Sequence, residues 1–216
     1  MRATKQVIKG KMIPEHAVIP AKERLKTAAA RVFQQYGVHD GKDLSAALIA
    51  KLADSNVGTL IKYFGSAQAM AHAHLLAIIK EDEALWTEAK RTHANSAESE
   101  LLAWLHSVEL HAQDPFSAPV QLSRASASLY YHKMTPMQEP LKAWRLKERF
   151  RIRALCKSAE FDEPDRLADK IWLLVEGARN ERMTFDYDGP RLRLVEGAKD
   201  LIAAHRERKL MGSPLN

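Results

Sequence analysis

"IAKLADSNVGTLIKYF", residues 49–64, reads as a short helix, a break and a second short helix. Leu48, Ile49 and Leu52 make the apolar face of the first. The break falls at Ala53, Asp54 and Ser55, and Ser55 or Asn56 can cap the second helix by accepting a hydrogen bond from its unpaired amides. Gly58, Thr59 and Leu60 follow, and the helix closes on Tyr63, Phe64 and Gly65. Two short helices around so tight a break have the form of a helix-turn-helix, in which the first braces the second and the second enters a DNA major groove. The same corner occurs in helical bundles that never meet DNA. Spacing alone leaves both readings open.

Outward from this corner the chain is helical throughout. Its 216 residues allow one large domain or two small ones, with a core that needs no covalent staple. Nine glycines, nine prolines and few aromatics point to an all-α fold. Residues 1–20 have little periodicity and read as a flexible basic arm carrying Arg2, Lys5, Lys9 and Lys11. Helix one starts near Ala21, buries Leu25, Ala28, Val32 and Phe33, and stops at Gly37; His39 to Asp43 form a loop. Ser66 caps a long fourth helix reaching about Lys90, with Met70, His74, Ala77, Ile78 and Leu85 on its inner side. Further helices are expected at about 97–112, 118–133, 139–158, 164–184 and 190–208, and residues 211–216 read as a disordered tail. Pro164 and Pro190 stand where a first helical turn accepts proline.

Charge separates the ends. Residues 1–65 hold eleven Lys or Arg against five Asp or Glu, while the remainder holds 22 of each sign, so the net +6 lies in the first third. A basic segment on a neutral body suits contact with a polyanion, or solubility alone. The single cysteine, Cys156, can form neither an internal disulfide nor a thiolate cluster, which fits a reducing cytoplasm. No apolar run reaches membrane-spanning length, and the basic N-terminus lacks the core of a secretion signal. Enzymatic signatures are missing: there is no G-x-S-x-G elbow, phosphate loop or dinucleotide fingerprint, and His72 and His74 do not share a helical face. Cys156 lies among Arg151, Arg153 and Lys157, which could lower its pKa, yet no base accompanies it. The chain does not read as an enzyme and calls for no cofactor or metal.

Residues 24–70 resemble the DNA-binding domain of the TetR family of transcriptional regulators. The resemblance rests on Ala28 to Phe33 with Gly37, on Ile49 and Ala50, on Gly58-Thr59-Leu60, on Tyr63-Phe64 and on Ser66. The family phrase runs I-A-x-x-A-G-V-S-x-G-T-L-Y-x-Y/H-F, and this chain follows it without a gap from Ile49 to Phe64. Departures are Asp54 and Ser55 for the turn glycine and valine, Val57 for a basic residue, Ile61 for the first tyrosine and Ala67 for a lysine. They remove positive charge from the expected footprint and add a carboxylate. "IWLLVEGARN" is similar to the family's penultimate helix.

The resemblance implies a three-helix DNA-binding domain over 21–65 and a helical effector-binding and dimerisation domain over 66–210. It implies a homodimer that grips a near-palindromic, double-stranded operator and acts as a repressor, with an unknown small-molecule effector. A module that kept this fold but lost or altered DNA recognition is the competing reading. Asn56, Val57 and Thr59 are then the base-facing candidates, since asparagine pairs with adenine and methyl groups pack on thymine. Thr59, Lys62, Tyr63, Lys22, Arg24, Lys26 and Lys42 are phosphate candidates, although Lys62 suits a solvated position equally and Lys42 can offset Asp40 and Asp43. Trp104, Phe116, Trp144, Phe150 and Trp172, with His111, Tyr130 and Cys156 as polar contacts, could line an effector pocket or simply fill a core. Leu167, Ile171, Leu174 and Ala178 form one stripe, and Leu194, Ala198, Leu201 and Ile202 another. These stripes suit a dimer seam, and intramolecular packing would satisfy the same pattern.

Overall fold

The structure, a computed structural model, describes residues 7–8, 11–12, 19–36, 46–131, 135–181 and 189–210. Helices dominate: α1 (Ala21–Tyr36), α2 (Ala46–Leu52), α3 (Val57–Phe64), α4 (Ala67–His93), α5 (Ala97–Ala112), α6 (Ala118–Tyr131), α7 (Thr135–Ser158), α8 (Pro164–Asn180) and α9 (Leu194–Leu210). The architecture is all-α, as the composition implied. One small departure lies in the segment read as a flexible arm. There β1 (Val7–Ile8) pairs antiparallel with β2 (Lys11–Met12), Val7 opposite Met12 and Ile8 opposite Lys11. Val-Ile favours extended backbone, and a ribbon this short is marginal by itself. Arg2, Lys5, Lys9, Gly37, the loop from His39 to Asp43 with Lys42, and the 211–216 tail lie outside the described residues.

The chain divides into two compact units, Met1–His74 and Leu75–Asn216. In the first, α1, α2 and α3 pack on one another around Leu25, Ala28, Ala29, Val32, Phe33, Ile49, Ala50, Ala53 and Leu60, all buried. The opening turns of α4 add buried Met70 and Ala71, and His74 stacks on Phe33 with ring centroids 5.2 Å apart.

In the second unit α8 is the central element, touching α5, α6, α7 and α9. The core gathers Trp86, Leu101, Trp104, Leu105, Val108, Ile152, Phe161, Leu167, Ile171 and Val175, among others. Two helix boundaries differ from the sequence reading. α7 begins at Thr135, with Pro136 in the first turn where amides have no partner anyway. Pro140 lies inside the helix, one turn on, where its missing N–H leaves the Pro136 carbonyl without its helical donor. Pro190 opens a single 3-10 turn, Pro190–Arg193, and α9 starts only at Leu194. A remote carboxylate then caps α9, since the Val195 amide donates to Glu109 Oε2 at 2.9 Å.

Most residues expected at the dimer seam lie inside the protomer. Leu167, Ile171, Ala178, Leu194, Ala198 and Ile202 are all buried in the protomer's own core, and Leu174 and Leu201 pack against it. α8 and α9 turn these two stripes toward each other and toward α5, leaving only Leu174 and Leu201 part-exposed. Leu174 also packs over Gly197, its Cδ1 lying 3.5 Å from the position of an added Cβ, an ordinary contact distance. Outward from α8 the apolar residue is Leu173, 71% exposed. Leu167→Ala should therefore cost the isolated protomer about 2–5 kcal/mol in a denaturant titration, against about 0.5 kcal/mol or less for Leu173→Ala.

Candidate nucleic-acid interface and sensor core

The helix-turn-helix is held by its own polar side chains. Asn56 sits in extended backbone and caps α3: its Oδ1 accepts from the Thr59 amide at 2.8 Å and from Thr59 Oγ1 at 3.1 Å. A Cβ at Gly58 would lie 3.2 Å from that same oxygen, so the glycine gives the cap its room. Gly65 closes α3 at φ +77°, its amide returning to the Ile61 carbonyl, and Ser66 Oγ caps α4 through the Ala69 amide at 3.0 Å. Asp54, in the break, stands at φ +48°. That is a left-handed position, where the family phrase carries glycine for steric reasons.

Arg24 behaves differently from its expected part. Its Nε donates to the Ala53 carbonyl at 2.9 Å, Nη2 to the Asp54 carbonyl at 2.9 Å and Nη1 to the Ile19 carbonyl at 3.0 Å. A cation at the end of α2 satisfies carbonyls that the helix itself leaves unpaired. This guanidinium ties α1 to the break, and as a phosphate candidate it is corrected to a brace. Lys26 pairs with Glu23 at 2.9 Å, both side chains half exposed, a link weak enough to yield to a phosphate. Lys22 and Lys62 are exposed, and Tyr63 is 44% exposed while Phe64 is half-buried. Val57 and Thr59 are half-buried on the same helix start as exposed Asn56. Asn56 has spent its carbonyl oxygen on the cap, so the two-point adenine contact expected of it is corrected to a single amide donor.

The second unit hides charge that the sequence reading did not anticipate. Arg179, 1% exposed, grips Glu148 through two hydrogen bonds of 2.9 and 2.8 Å, and Asp82 Oδ1 lies 3.8 Å from its Nη2. Asp82 accepts from the Trp144 indole at 2.8 Å, and the guanidinium lies over the rings of Trp144 and Trp104 at 5.4 and 6.0 Å. Burial, reinforced by the neighbouring Glu148 charge, raises the Asp82 carboxyl to about 6 despite Arg179 and the Trp144 bond. Burial alone would lower the Arg179 pKa, but the Glu148 charge and its hydrogen bonds carry it above its ordinary value. The sequence did hold a signal. Ile78, Asp82, Trp86 and Ala89 share one buried stripe, as do Trp144, Glu148 and Ile152, and Ile171, Val175 and Arg179.

The effector-pocket candidates do not stay together. Trp104, Trp144, Cys156 and Trp172 are buried, and Trp172 lies beneath Arg145 at 5.4 Å. His111 is half-buried, its Nδ1 bonded to the Ser107 carbonyl at 2.7 Å. Phe116 and Phe150 are corrected to surface positions, 51% and 63% exposed, because the α5–α6 turn and the outer face of α7 point them away from the core. Tyr130 falls in α6, and its side chain lies outside the described residues. Burial pushes the Cys156 thiol up to about 12, with Asp165 adding to the effect. Its basic neighbours are committed elsewhere, Arg151 to Glu83 and both Arg153 and Lys157 to Asp165. A surface groove of about 380 Å³ in this unit is lined by other residues: Trp86, Thr87, Lys90, Glu100, Arg151, Ala154 and Leu155. Among the described residues no group of three or more His, Cys, Asp or Glu could hold a metal ion, and no helix is long and apolar enough to cross a membrane.

No protein-family model matches the chain, and no curated protein matches it. Solved structures do. A TetR-family transcriptional regulator from Streptomyces coelicolor superposes with a TM-score of 0.73 at 19% identity, covering 86% of this chain and 95% of that one. The chain has the TetR fold. A TetR transcription regulator from Haloarcula marismortui matches at 0.67 and 15% identity, covering 86% and 97%. A protein described as the superantigen PfiT also matches, at 0.60 and 17%, covering 86% and 95%. Identities this low establish the TetR fold and leave activity to be argued from the site.

The buried carboxyl makes a pH prediction. Asp82 titrates near 6 when folded and near 3.8 when unfolded, so the folded state holds its proton more tightly. The stability this contributes is fully present below about pH 4 and is lost as pH rises through 6. Asp82→Asn keeps an acceptor for Trp144 and cannot ionise. Its stability relative to wild type should rise by about 2 kcal/mol between pH 4 and pH 8 in urea titrations. A difference that stays flat over that range would contradict the assignment.

Proposed function

We propose that the chain is a ligand-responsive transcriptional regulator, a repressor that holds a near-palindromic operator as a homodimer until an effector binds its larger unit. In this reading residues 1–20 are a basic arm, 21–65 the DNA-binding domain and 66–210 the sensor and dimerisation domain. The observation that carries it is α3: a short, capped helix whose start presents Asn56, Val57 and Thr59 and whose far end exposes Lys62 and Tyr63. Helix-turn-helix proteins read bases from the N-terminal end of such a helix and hold phosphates around it. The basic first third of the chain supplies the long-range attraction. For the dimer, the outward face of α8 at Leu173 and Gly177 is the better surface, since no atom lies within 4 Å of a Cβ added at Gly177.

One observation favours the competing reading of a TetR-like module with altered recognition. Asp54 is exposed in the break, and a carboxylate beside DNA repels phosphate. The two readings part in one experiment. Selection from a random duplex pool, followed by affinity at two salt concentrations, should enrich a near-palindrome with a clear salt slope. Failure to enrich any sequence, with weak salt-labile binding only, would replace the repressor reading by its competitor.

Asp54→Asn keeps the left-handed turn and removes the charge, so it should tighten DNA binding by about 1 kcal/mol or less at low salt. Asn56→Ser retains the cap and deletes the amide, so it should narrow the gap between operator and random DNA, whereas Tyr63→Phe should weaken all duplexes alike. Equal losses from both in fluorescence anisotropy would refute that division. Leu173→Arg should convert a dimer to a folded monomer in sedimentation; an unchanged dimer would move the interface off α8.

A further inference from the structure

We propose that Asp82, Glu148 and Arg179 form a proton-binding switch. One proton taken up by the carboxylate pair seats residues 75–93 of α4 against α7 and α8, and its loss loosens them. The sealed charges do not balance, since two fully buried carboxylates share one buried guanidinium. Glu148 takes the two short bonds, and Asp82 is left with a 3.8 Å approach to Nη2. Neighbouring groups do not make up the difference. On α4 itself Glu83 adds a further negative charge, and it already holds Lys147 and Arg151 of α7 at 2.7 and 2.6 Å. From α8, Glu176 lies 3.7 Å from Arg179 and is paired with Arg145 of α7 at 2.9 Å. α5 contributes the uncharged ring of Trp104. Of the two Asp82 oxygens, Oδ2 accepts from the Trp144 indole at 2.8 Å, while Oδ1 is buried without a hydrogen-bond partner among the described residues. A proton on Oδ1 therefore neutralises the surplus charge and breaks no bond.

α4 is the helix that such a charge can move. α5, α6, α7 and α8 pack closely along one another, whereas no comparable backbone approach joins any of them to α4 among the described residues. Long side chains bridge the gap. Trp86 stacks on Trp104 with ring centroids 3.9 Å apart, and polar ties to α7 and α8 leave from two consecutive carboxylates. Asp82 reaches Trp144 and Arg179, and Glu83 reaches Lys147 and Arg151. An ionised Asp82 prefers any arrangement in which water reaches it, so losing the proton favours an α4 drawn away from its neighbours. Linkage sets the size of the effect. With the carboxyl near 6 when packed and near 3.8 in water, the opening constant should rise about 10-fold from about pH 5 to about pH 8.

This makes the proton an effector, and it rests on the ligand-responsive reading for its biological meaning. Its test uses no DNA, so failure here and failure of operator selection are distinguishable. The full chain, labelled with ¹⁵N at its four tryptophans, is titrated across the neutral range, and the Trp144 indole N–H, assigned with Trp144→Phe, is followed. Its resonance should move with a midpoint near 6, and Asp82→Asn should hold it still. Glu148→Gln leaves a single carboxylate for the guanidinium and should move the midpoint to lower pH. Amide hydrogen exchange, corrected for the intrinsic effect of pH, should show residues 75–93 losing about 10-fold in protection between about pH 5 and about pH 8. α9 should lose little over that interval, and α4 of Asp82→Asn none. The proposal is overturned if the Trp144 indole does not titrate, or if Glu148→Gln leaves the midpoint in place. It is equally overturned if α4 protection is unchanged or falls only in step with α9, or if Asp82→Asn keeps the wild-type response.

Discussion

Arg179 is a full positive charge sealed inside an apolar bundle, and the second unit is arranged around keeping it paired. Removing a guanidinium from water costs several kcal/mol, which only close partners can offset. Glu148 of α7 supplies two hydrogen bonds, Asp82 of α4 a nearby carboxylate, and Trp104 of α5 and Trp144 of α7 the electron-rich faces of their rings. One side chain on α8 thereby sets its register against three other helices. Leu or Met could fill the same volume and slide by a turn with little penalty. A forked ion pair cannot. The arrangement is unbalanced as well, since Asp82 Oδ1 and Arg179 Nε have no hydrogen-bond partner among the described residues. A core that holds its charges slightly undersatisfied responds to a proton or a polar ligand more than a wholly apolar one does.

The first unit solves a smaller problem by similar means. A break of a few residues between α2 and α3 leaves carbonyls at one helix end and amides at the next. Arg24 closes the carbonyls and Asn56 the amides. Each of these side chains was a natural candidate for DNA, and each is occupied by the fold. The competition is physical: a donor or acceptor that fixes the angle between two helices is unavailable, or only half available, to a base or phosphate. What remains for recognition is the Asn56 amide, the surfaces of Val57 and Thr59, and the exposed Lys62 and Tyr63.

The all-α class, the helix count and most helix ends were legible because they depend on local signals. Glycine at 65, serine at 66 and 96, and proline at 164 act within one turn of where they stand. Periodicity placed Leu25, Val32, Phe33 and Ile78 in the core correctly, but it gave Ala77 an inner position that belongs to Leu75. The charged core was missed for a different reason. Asp82, Glu148 and Arg179 occupy apolar-stripe positions, and hydropathy discounts them one at a time, whereas burial becomes tolerable only when all three meet. Their pairing spans 31 residues along the chain for Arg179 and Glu148, and 62 for Trp144 and Asp82, which no local window contains. The seam stripes pose the opposite problem: they are real, but a stripe specifies burial and not the partner that provides it.

Asp54 shows how the fold can tolerate what recognition does not. Its backbone is left-handed, a geometry that aspartate adopts at lower cost than branched residues. Arg24 grips its carbonyl, so the break keeps its shape whichever short polar residue or glycine stands there. Here the position carries a carboxylate, exposed at the break. A positive surplus in the same third of the chain offsets that charge at long range, where screened potentials add, but not at the few ångströms where a phosphate would sit. On the proposed regulator reading, a duplex whose backbone stays clear of Asp54 is favoured over one that approaches it.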